Sequence, residues 1–579
     1  QVISYNFLHE YNIMERIYLP NKRLAKSRII TALFSFFIAF SLQLSAKESE
    51  QTLVLVGGAL TTCASLSPKN CEKNTQIPGK IHNVFALSHA KISQIKQQWP
   101  SKNTQAKNKT IKNLATMQAK SSPTLSKKEL LWLWRDIDSK QLNSLTDQEY
   151  NFVIDMLEVA QLQGDNTRLK EQVNTALNSE SAATDILQFI SGSLKVKSTN
   201  PSILAITASS RDPYESADFY EGLLRFPNIN SQWLALTPAL AKAITTNKCD
   251  DLNTLRHSEM GLYQREHIYP DRTQAEYLLC KNGTDALVQL IKNSTGVMFN
   301  GGDQSLTRKV LFDENNQPYP WTKALQSRPV VVGTSAGTAV QSGGQAHAGN
   351  VVMITNGTSL SALKEGAQAI DAPSERANSD SLTYNRFGGL GTFSYGVLDT
   401  HFSERNRTLR LGTLLDSFGA NQAQPAFGFG VDETTALVVI KSESGNLMTV
   451  IGKNGVVMVK STGQAQAETK TYSYSYWPAG SVIDIKNNDF TLSQRSISQA
   501  LPAIKIPPLP VQRFGSILTQ AKLRSLTQAM CLSQEQTAVG QQGEFIISLS
   551  TTPESAYDRI SAAQYGCAVS NLEIAVSTF

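Results

Sequence analysis

Short runs of apolar, mostly β-branched residues recur along the chain at Leu53–Val56, Ile203–Ile206, Gly296–Phe299, Val330–Val332 and Ala436–Ile440. Runs without polar alternation fit strands covered on both faces, as in parallel sheets. Helical stretches separate several of them, for example Tyr214–Phe226 and Thr284–Lys292. Strands alternating with helices predict an α/β fold built on a mostly parallel sheet. The first run ends in Gly57 and Gly58, which read as a tight turn.

Residues 61–200 interrupt that alternation. They are rich in Lys, Gln, Leu and Ala, and their apolar spacing is helical. Ser126-x-x-Glu129 and Thr146-x-x-Glu149 have the form of capping boxes and mark two helix starts. After the second, Tyr150, Val153, Ile154, Leu157 and Ala160 fall on one helical face. The segment reads as a helical insertion in an α/β core formed by 47–60 and 201–485. From about 445 the pattern shifts to short strands with Gly turns, such as Val456–Val459. Residues 501–510 carry four prolines and read as a linker, so 486–579 is set apart as linker and C-terminal extension. The last seventy residues hold two cysteines and no chemical motif.

The N-terminal pattern is of another kind. Arg16, Lys22, Arg23, Lys26 and Arg28 precede an apolar run, Ile29–Leu44, that ends at Ser45 and Ala46 before polar residues. A basic region, an apolar run and a small residue before a polar segment form the pattern of a secretory signal. The expectation is export, secreted or periplasmic, with a start at Met14 and cleavage after Ala46. The run falls short of the roughly 20 apolar residues that span a bilayer, so no stable membrane anchor is expected after cleavage. Six cysteines lie beyond it, an even number suited to an oxidising compartment. Sequence proximity suggests Cys63–Cys71, Cys249–Cys280 and Cys531–Cys567, one of 15 pairings that six cysteines allow. No CxxC or HExxH spacing occurs, and no metal or cofactor is expected.

Charge adds little. The formal charge is +6, but residues 1–46 hold five Lys/Arg against two Asp/Glu, leaving 49 basic and 46 acidic side chains in the remainder. That balance, with no basic patch interleaved with aromatics, argues against nucleic acid as a partner. A homo-oligomer is left open.

The chemistry concentrates at Gly333-Thr334-Ser335-Ala336-Gly337, which follows an apolar strand and precedes a helix-compatible stretch. This G-x-S-x-G pattern places a serine on a sharp strand-to-helix turn, with small residues on either side to make the turn without clashes. A helix N-terminus behind it would offer free N–H groups to an oxyanion. A serine nucleophile needs a base and a group to orient that base. Of seven histidines, His9 lies upstream, His82, His89, His257 and His267 sit in insertion or loop contexts, and His347 lies in a Gly/Ala-rich loop. His401 follows Tyr395–Asp399, a run that could bring another parallel strand to the same sheet edge.

Four motifs appear in order: Phe299–Gln304, Gly333–Gly337, Asp399–Phe402 with Arg405, Arg407 and Arg410, and Gly428–Ala436. Together they resemble the cyanophycinase branch of the serine peptidases, which also includes dipeptidase E. The match covers about 53–60 and 201–485. The resemblance implies a three-layer, mostly parallel α/β fold akin to class I glutamine amidotransferases. It also implies a triad of Ser335 as nucleophile, His401 as base and Glu433 as orienting acid. The order Ser–His–acid sets it apart from α/β-hydrolases. Asp399 is a local rival to Glu433, because it shares a strand face with His401. The family pattern assigns Asp399 to the substrate pocket instead. The oxyanion donors are expected to be the backbone N–H groups of Ala336 and Gly302.

Cyanophycin, the substrate that the resemblance implies, is a poly-aspartate backbone bearing arginine on its side-chain carboxyls. Its cleavage releases β-Asp-Arg dipeptides. Such a unit needs pocket charges of both signs. Arg407 and Arg410 are expected to hold carboxylates as bidentate forks, while Asp399 and Gln304 receive the guanidinium; Asp303 is counted with them among the substrate-binding residues. The chain departs from the family at Thr400, where Gln is common, and at Thr338, where Ala is common. The alternatives are a related exported peptidase for short aspartyl or β-aspartyl peptides, and a non-catalytic binding protein with the same fold.

Overall fold

The computed structural model describes residues 50–579 except 347–348, 420–425, 444, 462–468, 487–488, 498–514 and 561–565. The expected signal segment, His9, His347 and the proline-rich linker lie outside the described residues. No described helix is long and apolar enough to cross a membrane.

The fold is mixed α/β. Its nine-stranded sheet divides at Gln51–Val56. On one side Val330–Thr334, Gly296–Phe299, Ser202–Ile206 and Asn230–Leu234 follow, all parallel. On the other side Thr435–Ser442, Gly445–Gly452, Val482–Lys486 and Asp489–Leu492 follow, all antiparallel. The sheet is therefore half parallel, where a mostly parallel one was expected. The run Ala436–Ile440 already pairs antiparallel with Gln51–Val56, and it is the first arm of a hairpin whose short connection reverses the chain into Gly445–Gly452. Val482–Lys486 also runs across the expected core boundary at 485 and pairs onward with Asp489–Leu492.

Alternation along Gln51–Val56 feeds both faces of this sheet. Val54 and Val56 pack with Ile186, Leu187, Ile190 and Leu194, while Leu53 and Leu55 pack with Leu240, Leu287 and Ile291. The first set comes from the helix Ser181–Lys197. The expected insertion 61–200 thus ends in a helix that forms part of the layer covering the main sheet. The helix forecast at Tyr214–Phe226 spans Pro213–Leu223. The one at Thr284–Lys292 is the second part of Pro270–Asn293, which breaks at Gly283 with φ 82°.

Both capping boxes form. The Ser126 and Thr146 side chains accept the N–H groups of Glu129 and Glu149, and each glutamate side chain accepts the N–H of its cap residue. Val153, Ile154 and Leu157 are buried with Phe85, Trp134 and Phe152, but the helix stops at Leu157, before Ala160. The segment also contains a small sheet of Val84–Ala86, Thr124–Ser126 and Glu158–Val159, which its helical spacing did not reveal. Buried arginines fasten it to the main sheet's helices. Arg168 bonds Asp218 and Asp271, and Arg265 bonds Glu158 and Asp212.

A second sheet runs Val397–Thr400, Phe427–Val431, Gly455–Ser461, Lys470–Pro478, Cys567–Thr578, Phe545–Ser550 and Thr537–Gln542, with Ala556–Arg559 pairing Cys567–Thr578. Half of it comes from the C-terminal extension, which continues the sheet edge to edge. The helix Lys522–Ser533 packs on it through Leu523, Leu526 and Met530, beside Tyr472 and Tyr474. The three disulfides are Cys63–Cys71, Cys249–Cys280 and Cys531–Cys567, the pairs that sequence proximity suggested.

Candidate active site

Ser335 follows the parallel strand Val330–Thr334 with φ 53° and ψ −117°, a conformation that costs a non-glycine residue about 1–3 kcal/mol. Close packing holds it there. A Cβ on Gly333 would lie 2.2 Å from the Gly337 carbonyl oxygen, and one on Gly337 would lie 2.1 Å from that of Phe299. Both glycines of the motif are thus required by contact as well as by the turn. The following helix is a single turn, Ala336–Ala339. It offers local N–H groups, and is too short for the macrodipole expected behind the serine.

His401 and Glu433 reach Ser335 from the other sheet. His401 follows Val397–Thr400, which pairs with Phe427–Val431 and not with the nucleophile's strand. Glu433 lies between Phe427–Val431 and Thr435–Ser442, where the chain crosses from the second sheet to the first. The expectation that the strand before His401 joins the nucleophile's sheet edge is therefore corrected: the three side chains meet at the seam of two sheets. The His401 Nε2 atom is 2.7 Å from Ser335 Oγ, and its Nδ1 is 2.6 Å from Glu433 Oε1. The His401 side chain is 12% exposed and that of Glu433 is 32% exposed, so solvent reaches the chain from the carboxylate end.

Three consecutive carbonyls stitch the seam. Val56 O accepts Ser335 N–H at 3.0 Å, Gly57 O accepts His401 N–H at 2.7 Å, and Gly58 O accepts Thr434 N–H at 2.9 Å. Gly58, with φ 114°, lies flat against the imidazole: a Cβ there would be 2.3 Å from the ring. His401 and Thr434 also have positive φ, 46° and 53°. Thr338, one departure from the family pattern, donates its hydroxyl to Val56 O at 2.7 Å and so ties the turn after the nucleophile to the same segment.

The Gly301–Gly302 turn stands beside the serine, since a Cβ on Gly301 would lie 3.3 Å from Ser335 Cβ. Gly301 N–H donates to the Tyr220 hydroxyl at 3.1 Å, and Asp303 N–H donates to Ser209 O at 2.8 Å. Gly302 carries φ 141° and has no room for a Cβ, which would meet Ser209 O at 2.1 Å. Ala336 and Gly302 thus flank the nucleophile, with no protein acceptor for either N–H among the described residues.

The expected pocket charges are arranged differently from the forecast. Asp399 is 1% exposed and takes Arg410 in a two-pronged pair, Nε to Oδ2 at 2.8 Å and Nη2 to Oδ1 at 2.6 Å. It also accepts Thr400 N–H at 2.7 Å. Burial alone would raise its pKa, but Arg410 and Arg407 carry it below the ordinary value. Asp399 is thus neither the imidazole's partner nor a free acceptor for a guanidinium. Arg410, 3% exposed, is no free carboxylate fork. Arg407 is more open, bonding Thr400 O at 2.7 Å. Burial and the Arg410 charge press its pKa down to about 9, so it stays cationic at neutral pH. Gln304 donates to Ile354 O and Thr355 O at 2.7 and 3.1 Å, and exposed Asp303 caps the next helix through Ser305 N–H. Burial lowers the His401 pKa, and the Arg405 and Arg407 charges add to that against the opposing pull of Glu433.

Sequence reasoning missed Gly58, Tyr220 and the Glu404, Asp432 and Arg524 group behind the triad. The paired glycines at 57 and 58 were the one signal. The rest have none, because their partners lie far away in the chain.

No family model matches the chain. Among solved structures it is similar to a peptidase from an acI-B1 Actinobacterium, at 16% identity and a TM-score of 0.29, over 52% of this chain and 91% of that one. At that distance the neighbour decides neither fold nor activity.

Proposed function

We propose that this chain is an exported serine-type peptidase acting on cyanophycin, with Ser335, His401 and Glu433 as its triad. The observation that carries the reading is the hydrogen-bonded series Ser335–His401–Glu433 on a strained serine turn. Ser335 Oγ attacks the peptide carbonyl while His401 Nε2 takes its proton. The Ala336 and Gly302 N–H groups face the developing oxyanion. Collapse expels the amine, which takes the proton from His401, and water then releases the acyl group by the same route. Glu433 holds Nδ1–H, which fixes the tautomer that leaves Nε2 free.

The rim supports this substrate class. Arg407 presents positive charge beside His401, suited to the free carboxylates of an aspartyl unit. With Asp399 and Arg410 paired to each other, Asp303 and the Gln304 carbonyl are left to meet a guanidinium. The five parallel strands beside the nucleophile are consistent with a core like that of class I glutamine amidotransferases. Three disulfides favour an oxidising destination, in keeping with cleavage after Ala46. Purified protein incubated with insoluble cyanophycin granules is expected to clear them and release β-Asp-Arg, and S335A is expected to do neither. Retained clearing by S335A overturns the serine assignment. Cleavage of short aspartyl or β-aspartyl peptides without clearing favours the second reading, which the same cationic rim accommodates.

A further inference from the structure

The C-terminal extension touches the back of the site through one side chain. Arg524, on the helix Lys522–Ser533, places Nη1 2.7 Å from Glu404 Oε1 and 2.7 Å from Asp432 Oδ2. Each of these carboxylates holds the backbone of a triad loop. Glu404 Oε2 accepts the N–H of Glu433 itself at 3.1 Å. Asp432 Oδ1 accepts the N–H of Ser403, two residues past His401, at 2.9 Å. Asn454 bridges the same group, donating to Glu404 Oε1 and Glu433 O. From these contacts we infer that Arg524 is a positioning residue that locks the histidine loop and the acid loop into one register, making the extension part of the catalytic half-site. The inference rests on the reading of His401 as base and Glu433 as its partner.

Electrostatics explains why an arginine is needed. Arg524 draws two carboxylates together, those of Glu404 and Asp432, and Asp432 is fully buried. Asp432 faces Glu404, Arg524, Tyr474 and Tyr476, so Arg524 is the one cation among them. Burial and Glu404 raise the Asp432 pKa to about 6 even with Arg524 in place. Without the guanidinium, the carboxylates would repel or take up protons, and the loops they hold would part. One guanidinium nitrogen can bridge two acceptors in a fixed fork, whereas an ammonium is a compact point charge. The extension holds Arg524 firmly. Leu523, Leu526 and Met530 are buried around it, Asn406 bonds Ile517 O and Gln520 O at 2.7 and 2.8 Å, and Cys531–Cys567 staples the helix to the sheet.

The test uses the full chain with R524Q and R524K, each shown to be folded by its thermal transition. Two readouts are compared with wild type: kcat and KM against pH on a substrate that wild type cleaves, and titration of the His401 imidazole by NMR. His401 faces Glu433, Arg405 and Arg407, with the Glu404–Asp432 group behind them. Parting of those loops weakens the Glu433 contact that raises the His401 pKa, and so disfavours the imidazolium. R524Q is expected to lower kcat by about 10- to 100-fold, the scale of a small misplacement of reacting groups, with KM unchanged. Its His401 titration should move to lower pH as the Glu433 contact loosens. R524K should show the same changes at smaller size, and it decides the matter if R524Q does not fold. A folded variant with wild-type kcat and an unmoved His401 titration overturns the inference. If wild type cleaves no peptide the proposed function fails, and the His401 titration alone then decides whether Arg524 governs that loop.

Discussion

Ser335 is aimed mainly by five consecutive residues, Gly333–Gly337, whose contacts lie within the turn or against the Phe299 and Val56 carbonyls of adjoining strands. His401 and Glu433 are aimed by contacts spanning most of the chain: Gly57 and Gly58 from the turn after the first strand, Glu404 and Asn454 from the loops, and Arg524 from the last helix. The first half-site is a local motif on a parallel strand. The second is an assembly at the seam between two sheets. A peptide motif can thus fix a nucleophile, while the base and its acid depend on register between distant segments. The two halves are expected to fail differently when broken.

The largest expected effect is in the local half. S335A removes the attacking oxygen and leaves the packing of Gly333 and Gly337 untouched. Turnover should fall by about six orders of magnitude with the melting temperature unchanged. Activity measured alongside a thermal melt checks both parts. In the assembled half, E433Q keeps a side chain of the same shape but favours the wrong imidazole tautomer, so kcat should fall by about four orders of magnitude. D399N supplies the contrast. It leaves Arg410 buried beside a neutral amide, and should cost about 3–5 kcal/mol of stability while the His401–Glu433 contact persists. A denaturant melt and a kcat measurement on the same two variants separate them. If D399N abolishes turnover in a folded protein and E433Q does not, the two carboxylates exchange roles.

This contrast also explains what could be read from the sequence. The strand runs at Leu53–Val56 and Val330–Val332, the serine turn and both capping boxes were legible because each is determined by neighbours within a few residues. The cysteine pairs were legible because each joins two cysteines that are consecutive in cysteine order, 8, 31 and 36 residues apart. The sheet that carries His401 was not legible, because Val397–Thr400 reads alike whether it joins one sheet or another. The antiparallel half of the main sheet was missed because Ala436–Ile440 has the composition of a buried parallel strand. The Asp399–Arg410 pair was misassigned because sequence places both near the pocket but cannot show that each satisfies the other. Arg524 was invisible for a plainer reason: it lies 92 residues from the aspartate it bonds.

G58A probes the seam with a smaller change. The added methyl would lie 2.3 Å from the imidazole at a backbone φ of 114°, so the ring must move away from Ser335. Turnover should drop about 100-fold, and the Ser335–His401 separation in a crystal structure of the variant checks the cause. Loss of the Cys531–Cys567 staple by a double Cys→Ser change should be milder for chemistry. It frees a loop of 36 residues, worth about 3–4 kcal/mol in the unfolded chain. It should loosen Arg524 before it unfolds the core, so activity should decline at lower denaturant than the main fluorescence transition.

The smallest effect sharpens the comparison most, because it alters no contact in the triad. His401 must be neutral to accept the serine proton, and burial with the Arg405 and Arg407 charges lowers its pKa, so the base stays competent into mildly acidic solution. Arg405 is exposed and acts only through its field. In R405Q that field is gone, the imidazolium becomes easier to form, and the acid limb of kcat/KM should shift to higher pH with its plateau unchanged. Added salt screens an exposed charge, so wild type at high ionic strength should drift toward the R405Q profile while R405Q itself stays still. A wild-type limb indifferent to salt would mean that burial alone sets the His401 pKa, leaving the assembled half-site tuned by packing and not by its cationic rim.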